Sequence, residues 1–219
     1  MTEPADVLAT RTAYDTVAAD YADLLKDELA QAPLERALLG TFAELVLTGG
    51  GGPVADVGCG PGRITTYLDG LGLDVSGIDL SPEMVAVASR AYPELYFRTG
   101  TMAALDFADG ALSGLVAWYS VIHTPPERLP RVFTEFARVL RPGGHLLMAF
   151  QVATTGGTDF EPRHITRAYG HDLDLDAYRL PPDRVTDLLA AAGIEVTTRV
   201  VREPGEREKS QQAYLMARR

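Results

Sequence analysis

The sequence predicts a doubly wound α/β fold, and three observations predict it. Short β-rich runs at 54–57, 75–79, 95–99, 115–120 and 145–150 alternate mostly with helix-like segments, as a parallel sheet covered on both faces requires. The first run leads straight into a glycine-rich turn, Gly58-Cys59-Gly60-Pro61-Gly62, with a helix pattern behind it. Two more strand-like runs, 194–201 and 212–217, end the chain as an antiparallel hairpin with a long loop. Together these runs make a seven-stranded, mostly parallel sheet.

Each element follows from local chemistry. Residues 11–29 and 34–47 carry apolar side chains at mixed three- and four-residue spacing, with Pro33 between them. Two helices are expected there, forming an N-terminal cap over residues 1–48. The run Thr48-Gly49-Gly50-Gly51-Gly52-Pro53 ends the second helix, because glycine and proline both disfavour its continuation. Ser81-Pro82-Glu83 supplies an N-cap, a proline at the first helical position and an acid in the first turn, so a helix should run from there to about residue 91. Another proline-opened helix is expected over 126–140, stopping before Arg141-Pro142-Gly143-Gly144. A last helix, 182–192, ends at Gly193. The whole reads as one domain: the cap, a ligand-binding core over 53–150, a substrate-side segment over 151–180, and a closing helix and hairpin over 181–219.

Composition narrows the function classes. With 219 residues, 46% of them hydrophobic, the chain can bury a sizeable core. No stretch approaches the roughly 18–20 apolar residues of a membrane span. The N-terminus has neither a basic region nor an apolar one of the signal-peptide kind, so a cytoplasmic protein without membrane association is expected. Cys59 is the single cysteine, which leaves no internal disulfide and no four-cysteine zinc site. A formal charge of −10 opposes binding to polyanions, so nucleic acid is not an expected partner.

The strongest local signal is Val54-Ala55-Asp56-Val57-Gly58-Cys59-Gly60-Pro61-Gly62. Gly58 and Gly60 permit close backbone approach to a ligand, and the helix N-terminus behind them can hold an anionic group. A dinucleotide fingerprint counted from Gly58 would place its third glycine at Arg63, whereas here it is Gly62. Asp56 sits inside the motif, where it could face the cationic end of a ligand. Asp79 closes the second strand, where a carboxylate can accept hydrogen bonds from both hydroxyls of a ribose.

With Tyr14-Asp15-Thr16-Val17-Ala18-Ala19-Asp20-Tyr21 in the leading helix, Gly77-Ile78-Asp79-Leu80-Ser81-Pro82-Glu83-Met84 after the second strand, and Leu140-Arg141-Pro142-Gly143-Gly144-His145-Leu146 before the fifth, the chain resembles the class I S-adenosylmethionine-dependent methyltransferases. The resemblance runs from about Tyr14 to Phe150 and is closest to the small-molecule enzymes of that family. It implies a Rossmann-like sheet, S-adenosylmethionine as cofactor, S-adenosylhomocysteine as product and a small-molecule acceptor. It further implies that the glycine turn holds the methionine part, that Asp79 holds the ribose, and that Tyr14 or Tyr21 closes over the methionyl end. Cys59, Leu80, Met84 and Tyr119 join Asp56, Gly58 and Gly60 in the implied cofactor set. Two positions depart from the family pattern. The adenine loop reads Gly100-Thr101-Met102, so an acid is missing at Thr101 and the backbone of Met102 is left to meet the ring; the fourth strand lacks its usual opening aspartate and reads Ser113-Gly114-Leu115-Val116.

On the acceptor side, His123 follows the fourth strand, where ligands gather in such sheets, and can serve as a base near neutral pH. The plain alternative is an imidazole bonded to local backbone. The polar segment 151–180 offers Asp159, Glu161, Arg163, His164, Tyr169 and His171 to an acceptor, with Arg163 a candidate for an acidic group. His164 and His171 beside acids read as surface histidines, and no metal site is expected. Trp118-Tyr119-Ser120-Val121 does not match the Asn/Asp-Pro-Pro-Tyr/Phe motif of nucleic-acid amino-methylating enzymes. Two other functions share parts of this pattern: an NAD(P)-dependent oxidoreductase, opposed by Arg63 at the third glycine position, and a non-catalytic S-adenosylmethionine-binding protein. Monomer and homodimer both remain open, since the N-terminal helices could cap their own subunit or a partner's.

Overall fold

The computed structural model describes residues 4–153, 159–206 and 208–219. Its elements are α1 (Ala5–Leu25), α2 (Pro33–Thr48), β1 (Val54–Val57), α3 (Arg63–Gly70), β2 (Val75–Asp79), α4 (Pro82–Ala91), β3 (Tyr96–Thr99), β4 (Leu112–Trp118), α5 (Leu129–Val139), β5 (Leu140–Gln151), β6 (Glu161–Ala168), β7 (His171–Arg179), α6 (Pro182–Ala191), β8 (Glu195–Arg202) and β9 (Gln212–Arg218), with short 3-10 turns at Leu29–Gln31, Val121–His123 and Pro126–Arg128. The main sheet has seven strands in the order β3-β2-β1-β4-β5-β9-β8. The first five run parallel, and β9 lies antiparallel to both β5 and β8. The expected doubly wound sheet with a C-terminal antiparallel hairpin is therefore present.

Alternation along the strands divides the core into two layers, one on each face. Ala55 and Val57 of β1 join the apolar side chains of α5 and α6 on one face, whereas Val54 joins those of α2 and α3 on the other. Close packing on that second face needs Gly114 in β4: a Cβ there would stand 2.8 Å from the Phe42 ring of α2. Helix α1 lies across the carboxyl end of the sheet, burying Val17 and Ala18 against Met84 of α4. Ser81 caps α4 as expected, its side chain accepting from Met84 N at 3.1 Å, and it also donates to Asp15 Oδ1 of α1.

The structure corrects several boundaries. Helix α1 starts at Ala5 and ends at Leu25, so the predicted stretch beyond it becomes a 3-10 turn at Leu29–Gln31. The fourth strand is Leu112–Trp118, starting three residues earlier than its pattern suggested, and Ser113 donates to Gly51 O at 2.6 Å in place of the family's opening aspartate. The Arg141-Pro142-Gly143-Gly144 run is the start of β5, accommodated by a register shift between Leu112 and Gly114. Within 151–180, β6 and β7 form a separate two-stranded antiparallel sheet. Its turn is Tyr169-Gly170, both with positive φ, which suits a tight hairpin. Among the described residues no helix is long and apolar enough to cross a membrane.

Candidate functional site

The carboxyl ends of β1, β2 and β4 and the inner side of α1 enclose a cleft of about 900 Å³ of empty space, open to solvent. Tyr14, Tyr21, Gly58, Gly60, Asp79 and Leu80 line it, as do Met84, Thr101, Met102, Tyr119 and His123. These residues come from segments that are far apart in the chain, and the sheet order gathers them.

The first strand turns at Gly58, whose φ of +78° and proximity to β4 both demand glycine; a Cβ would lie 2.2 Å from Ser120 Cβ. Asp79 ties this turn to the second strand. Its Oδ2 accepts from Gly60 N at 2.7 Å and its Oδ1 from Ser81 N at 2.8 Å. Burial pushes its carboxyl upward, opposed by those two backbone donors. Each oxygen keeps lone-pair capacity, so the carboxylate can still receive a ribose hydroxyl.

Asp56 and Cys59 are placed differently from expectation. Asp56 is completely buried on the α3 side of β1, where Thr65 Oγ1 donates to its Oδ2 at 2.7 Å. Its Oδ1 is buried with no hydrogen-bond partner among the described residues, and burial raises its pKa to about 7. The side chain does not line the cleft, because the two-residue period of β1 turns it away from the residues that do. Cys59 packs against Ala88 and Phe97, also off the cleft, and burial drives its thiol well up.

On the opposite wall, His123 sits in the short turn after β4. Its Nδ1 lies 2.8 Å from the carbonyl oxygen of Asp176 in β7. A carbonyl only accepts, so Nδ1 carries the proton and Nε2 presents its lone pair. Tyr14 OH, 2.7 Å from Nε2, therefore donates to it. Burial lowers the His123 pKa and raises that of Tyr14 well above its usual value, so the pair is held as neutral imidazole and neutral phenol.

Several cleft residues were not singled out from the sequence. Trp118 Nε1 and Ser120 Oγ are buried polar atoms without hydrogen-bond partners among the described residues, and both side chains line the wall. Their place at the end of β4 was the available signal. Asp6 and Arg128, joined by an ion pair, tie the start of α1 to the segment before α5 at the same cleft. Tyr119, which the sequence did mark out, lines the cleft with φ of +54°, an uncommon conformation for an aromatic residue, and its hydroxyl lies 3.3 Å from that of Tyr214. Arg63, noticed only as the residue that breaks the dinucleotide spacing, has a buried Nη1 without a hydrogen-bond partner among the described residues.

The comparisons with known proteins agree with this geometry. Residues 54–144 match the family described as Methyltransferase domain. An uncharacterised methyltransferase of Mycobacterium tuberculosis is 38% identical over 167 residues, covering 66% of each chain. The chain belongs to the class I S-adenosylmethionine-dependent methyltransferases. It spans about two thirds (66%) of the length of that methyltransferase relative. Solved methyltransferases share the fold. The magnesium protoporphyrin IX methyltransferase of Synechocystis, with bound S-adenosylmethionine, aligns over 100% of this chain and 99% of its own at 18% identity and a TM-score of 0.72. The 1,6-didemethyltoxoflavin-N1-methyltransferase of Burkholderia thailandensis aligns over 100% and 91% at 19% identity and a TM-score of 0.71.

A second cavity, with about 1500 Å³ of empty space, adjoins the first. Tyr14, Tyr21, Tyr119 and His123 line both. The hairpin β6–β7 walls its far side, so the 151–180 segment does lie over a cavity, through its strands. His164 and His171 sit on opposite strands of that hairpin, bonded to Asp176 at 2.9 Å and to Asp20 at 2.7 Å respectively.

Proposed function

We propose that this methyltransferase moves the methyl group of S-adenosylmethionine to a small-molecule acceptor held in the second cavity. The observation that carries the reading is the shared wall: Tyr14, Tyr21, Tyr119 and His123 belong to both cavities, so a donor in one meets an acceptor in the other. The cleft suits the cofactor chemically. Asp79 offers acceptor capacity for a ribose, the glycine turn leaves room for the methionine chain, and Trp118 and Ser120 hold unused donors on the wall. Thr101 and Met102 line the part of the cleft assigned to adenine.

S-Adenosylmethionine brings an already activated methyl on a sulfonium. The protein's task is to align the acceptor, exclude water and manage a proton. For an acceptor with a hydroxyl or amine, the proton passes to Tyr14 Oη as the Tyr14 proton passes to His123 Nε2. The high pKa of Tyr14 means that one proton arrives as the other leaves. The net charge of −10 supports a small acceptor over a polyanion, and the two neighbours named above are by their names methyltransferases of magnesium protoporphyrin IX and of 1,6-didemethyltoxoflavin.

Titration calorimetry with S-adenosylhomocysteine and with NADH tests the donor site, repeated with Asp79→Ala and Asp79→Asn. Micromolar binding of the sulfur ligand is expected, weakened about 100-fold by Asp79→Ala and less by Asp79→Asn, which keeps one acceptor oxygen. Binding of NADH alone would overturn the reading.

A further inference from the structure

We propose that the second cavity is built for a flat aromatic acceptor that carries an anionic group. This rests on the methyl-transfer reading above and names the class of its substrate.

The walls of the cavity point to an aromatic ring. Five of the nine tyrosines of the chain, Tyr14, Tyr21, Tyr119, Tyr169 and Tyr178, line it. Tyr21 links two edge-to-face pairs, with Tyr14 at 6.0 Å and with Tyr169 at 5.0 Å between ring centroids. Such rings give stacking surface together with hydroxyls that meet polar substituents at a ring's edge.

The charges point to an anion. Every carboxylate that lines the cavity is already in an ion pair: Glu28 with Arg63 at 2.9 Å, Glu35 with Arg202 at 3.2 Å, and Glu208 with Arg202. Arg179 is matched in turn by Glu161 at 2.8 Å. Arg163 of β6 and Lys209 also line the cavity, and neither has an ion-pair partner among the described residues. Two uncompensated cations on one cavity run against the trend of a chain with a net charge of −10. Among the described residues of the lining no carboxylate is left over to receive an ammonium group, so a cationic amine is poorly matched. A carboxylate, sulfonate or phosphate on the ring would find its counter-charge at Arg163 and Lys209, and the ring would lie toward Tyr14 and His123, where the methyl is received.

The test uses 6-hydroxy-2-naphthoate, its neutral amide and the saturated decahydro-2-naphthoate as probes, titrated into the full chain saturated with S-adenosylhomocysteine. The naphthoate is expected to bind about tenfold more tightly than the amide, with an affinity that falls as salt is added. The Arg163→Gln/Lys209→Gln double variant should remove that preference and leave S-adenosylhomocysteine binding unchanged. The saturated acid should bind about tenfold more weakly than the naphthoate, and Tyr169→Ala should narrow that gap. Equal binding of acid and amide overturns the anionic part, equal binding of the flat and saturated acids overturns the aromatic part, and failure of all three probes overturns both. Failure of S-adenosylhomocysteine itself to bind would instead strike the methyl-transfer reading.

Discussion

At the scale of single residues, the site depends on protons held in unusual places. The Asp176 carbonyl fixes the tautomer of His123, and that tautomer directs a lone pair at Tyr14. Removing either member of the pair should have the same consequence. Tyr14→Phe and His123→Asn are each expected to lower kcat by roughly 10- to 100-fold on an acceptor that loses a proton, and the double variant should be no worse than either single one. Steady-state kinetics of the three variants measures this; additive losses would separate the two residues. Since burial holds the His123 pKa below its usual 6.5, the acid limb of the kcat profile should lie below pH 6.5. Asp56 gives a second prediction. Its pKa is raised to about 7 in the folded protein from 3.8, so the folded state keeps a proton that the unfolded state has released, and this contribution is lost as pH rises from about 4 through 7. Asp56→Asn should therefore gain stability relative to the parent across that range, by roughly 1–4 kcal/mol at pH 8. Urea unfolding at pH 5 and pH 8 reads the difference; a gap independent of pH would show that Asp56 is ionised throughout.

At the scale of elements, one serine joins two helices. Ser81 caps α4 and also donates to Asp15 of α1, so it fixes both the start of one helix and the docking of another over the cleft. Ser81→Ala should cost about 1–2 kcal/mol in urea unfolding and weaken S-adenosylhomocysteine binding, because the position of α1 carries Tyr14 and Tyr21 to the cleft. Loss of stability without loss of binding would mean that α1 is held chiefly by the burial of Val17 and Ala18. Much of this level could be read from the sequence. Ser81-Pro82-Glu83 announced α4 because capping is local chemistry, and β1 and β2 have the bounds that their apolar runs suggested. The hairpin β6–β7 was not legible in the same way. Its first strand, Glu161–Ala168, is mostly exposed and lacks hydrophobic alternation, whereas the second, His171–Arg179, does alternate, with exposed Asp172, Asp174 and Asp176 between Leu173, Leu175 and Ala177, a strand signal masked by the polarity of the segment as a whole.

At the scale of the whole molecule, the last strand is the one the sheet closes around. β9 is inserted between β5 and β8 and is buried from Gln212 to Ala217. A chain truncated after Gly193 would lose β8 and β9 together and leave β5 from His145 to Gln151 as an open, largely apolar edge. Such a chain is expected to lack cooperative thermal unfolding and to aggregate; a soluble, cooperatively melting fragment would show that the five parallel strands suffice. The same scale decides the second cavity, which takes residues from α1, the end of β4, the hairpin β6–β7 and the segment before β9.

By itself, the sequence determined the class of fold, the glycine turn after β1 and the place of Asp79 at the end of β2, because strand patterning, turn geometry and helix caps act over a few residues. Only the tertiary structure decided that Asp56 faces α3 and not the cleft, that Tyr14 meets His123 across 109 residues of chain, and that Arg163 and Lys209 share a cavity with five tyrosines. Those outcomes depend on which face of a strand points where and on which distant elements pack together. Both are settled by burial of the whole core rather than by any local run of residues.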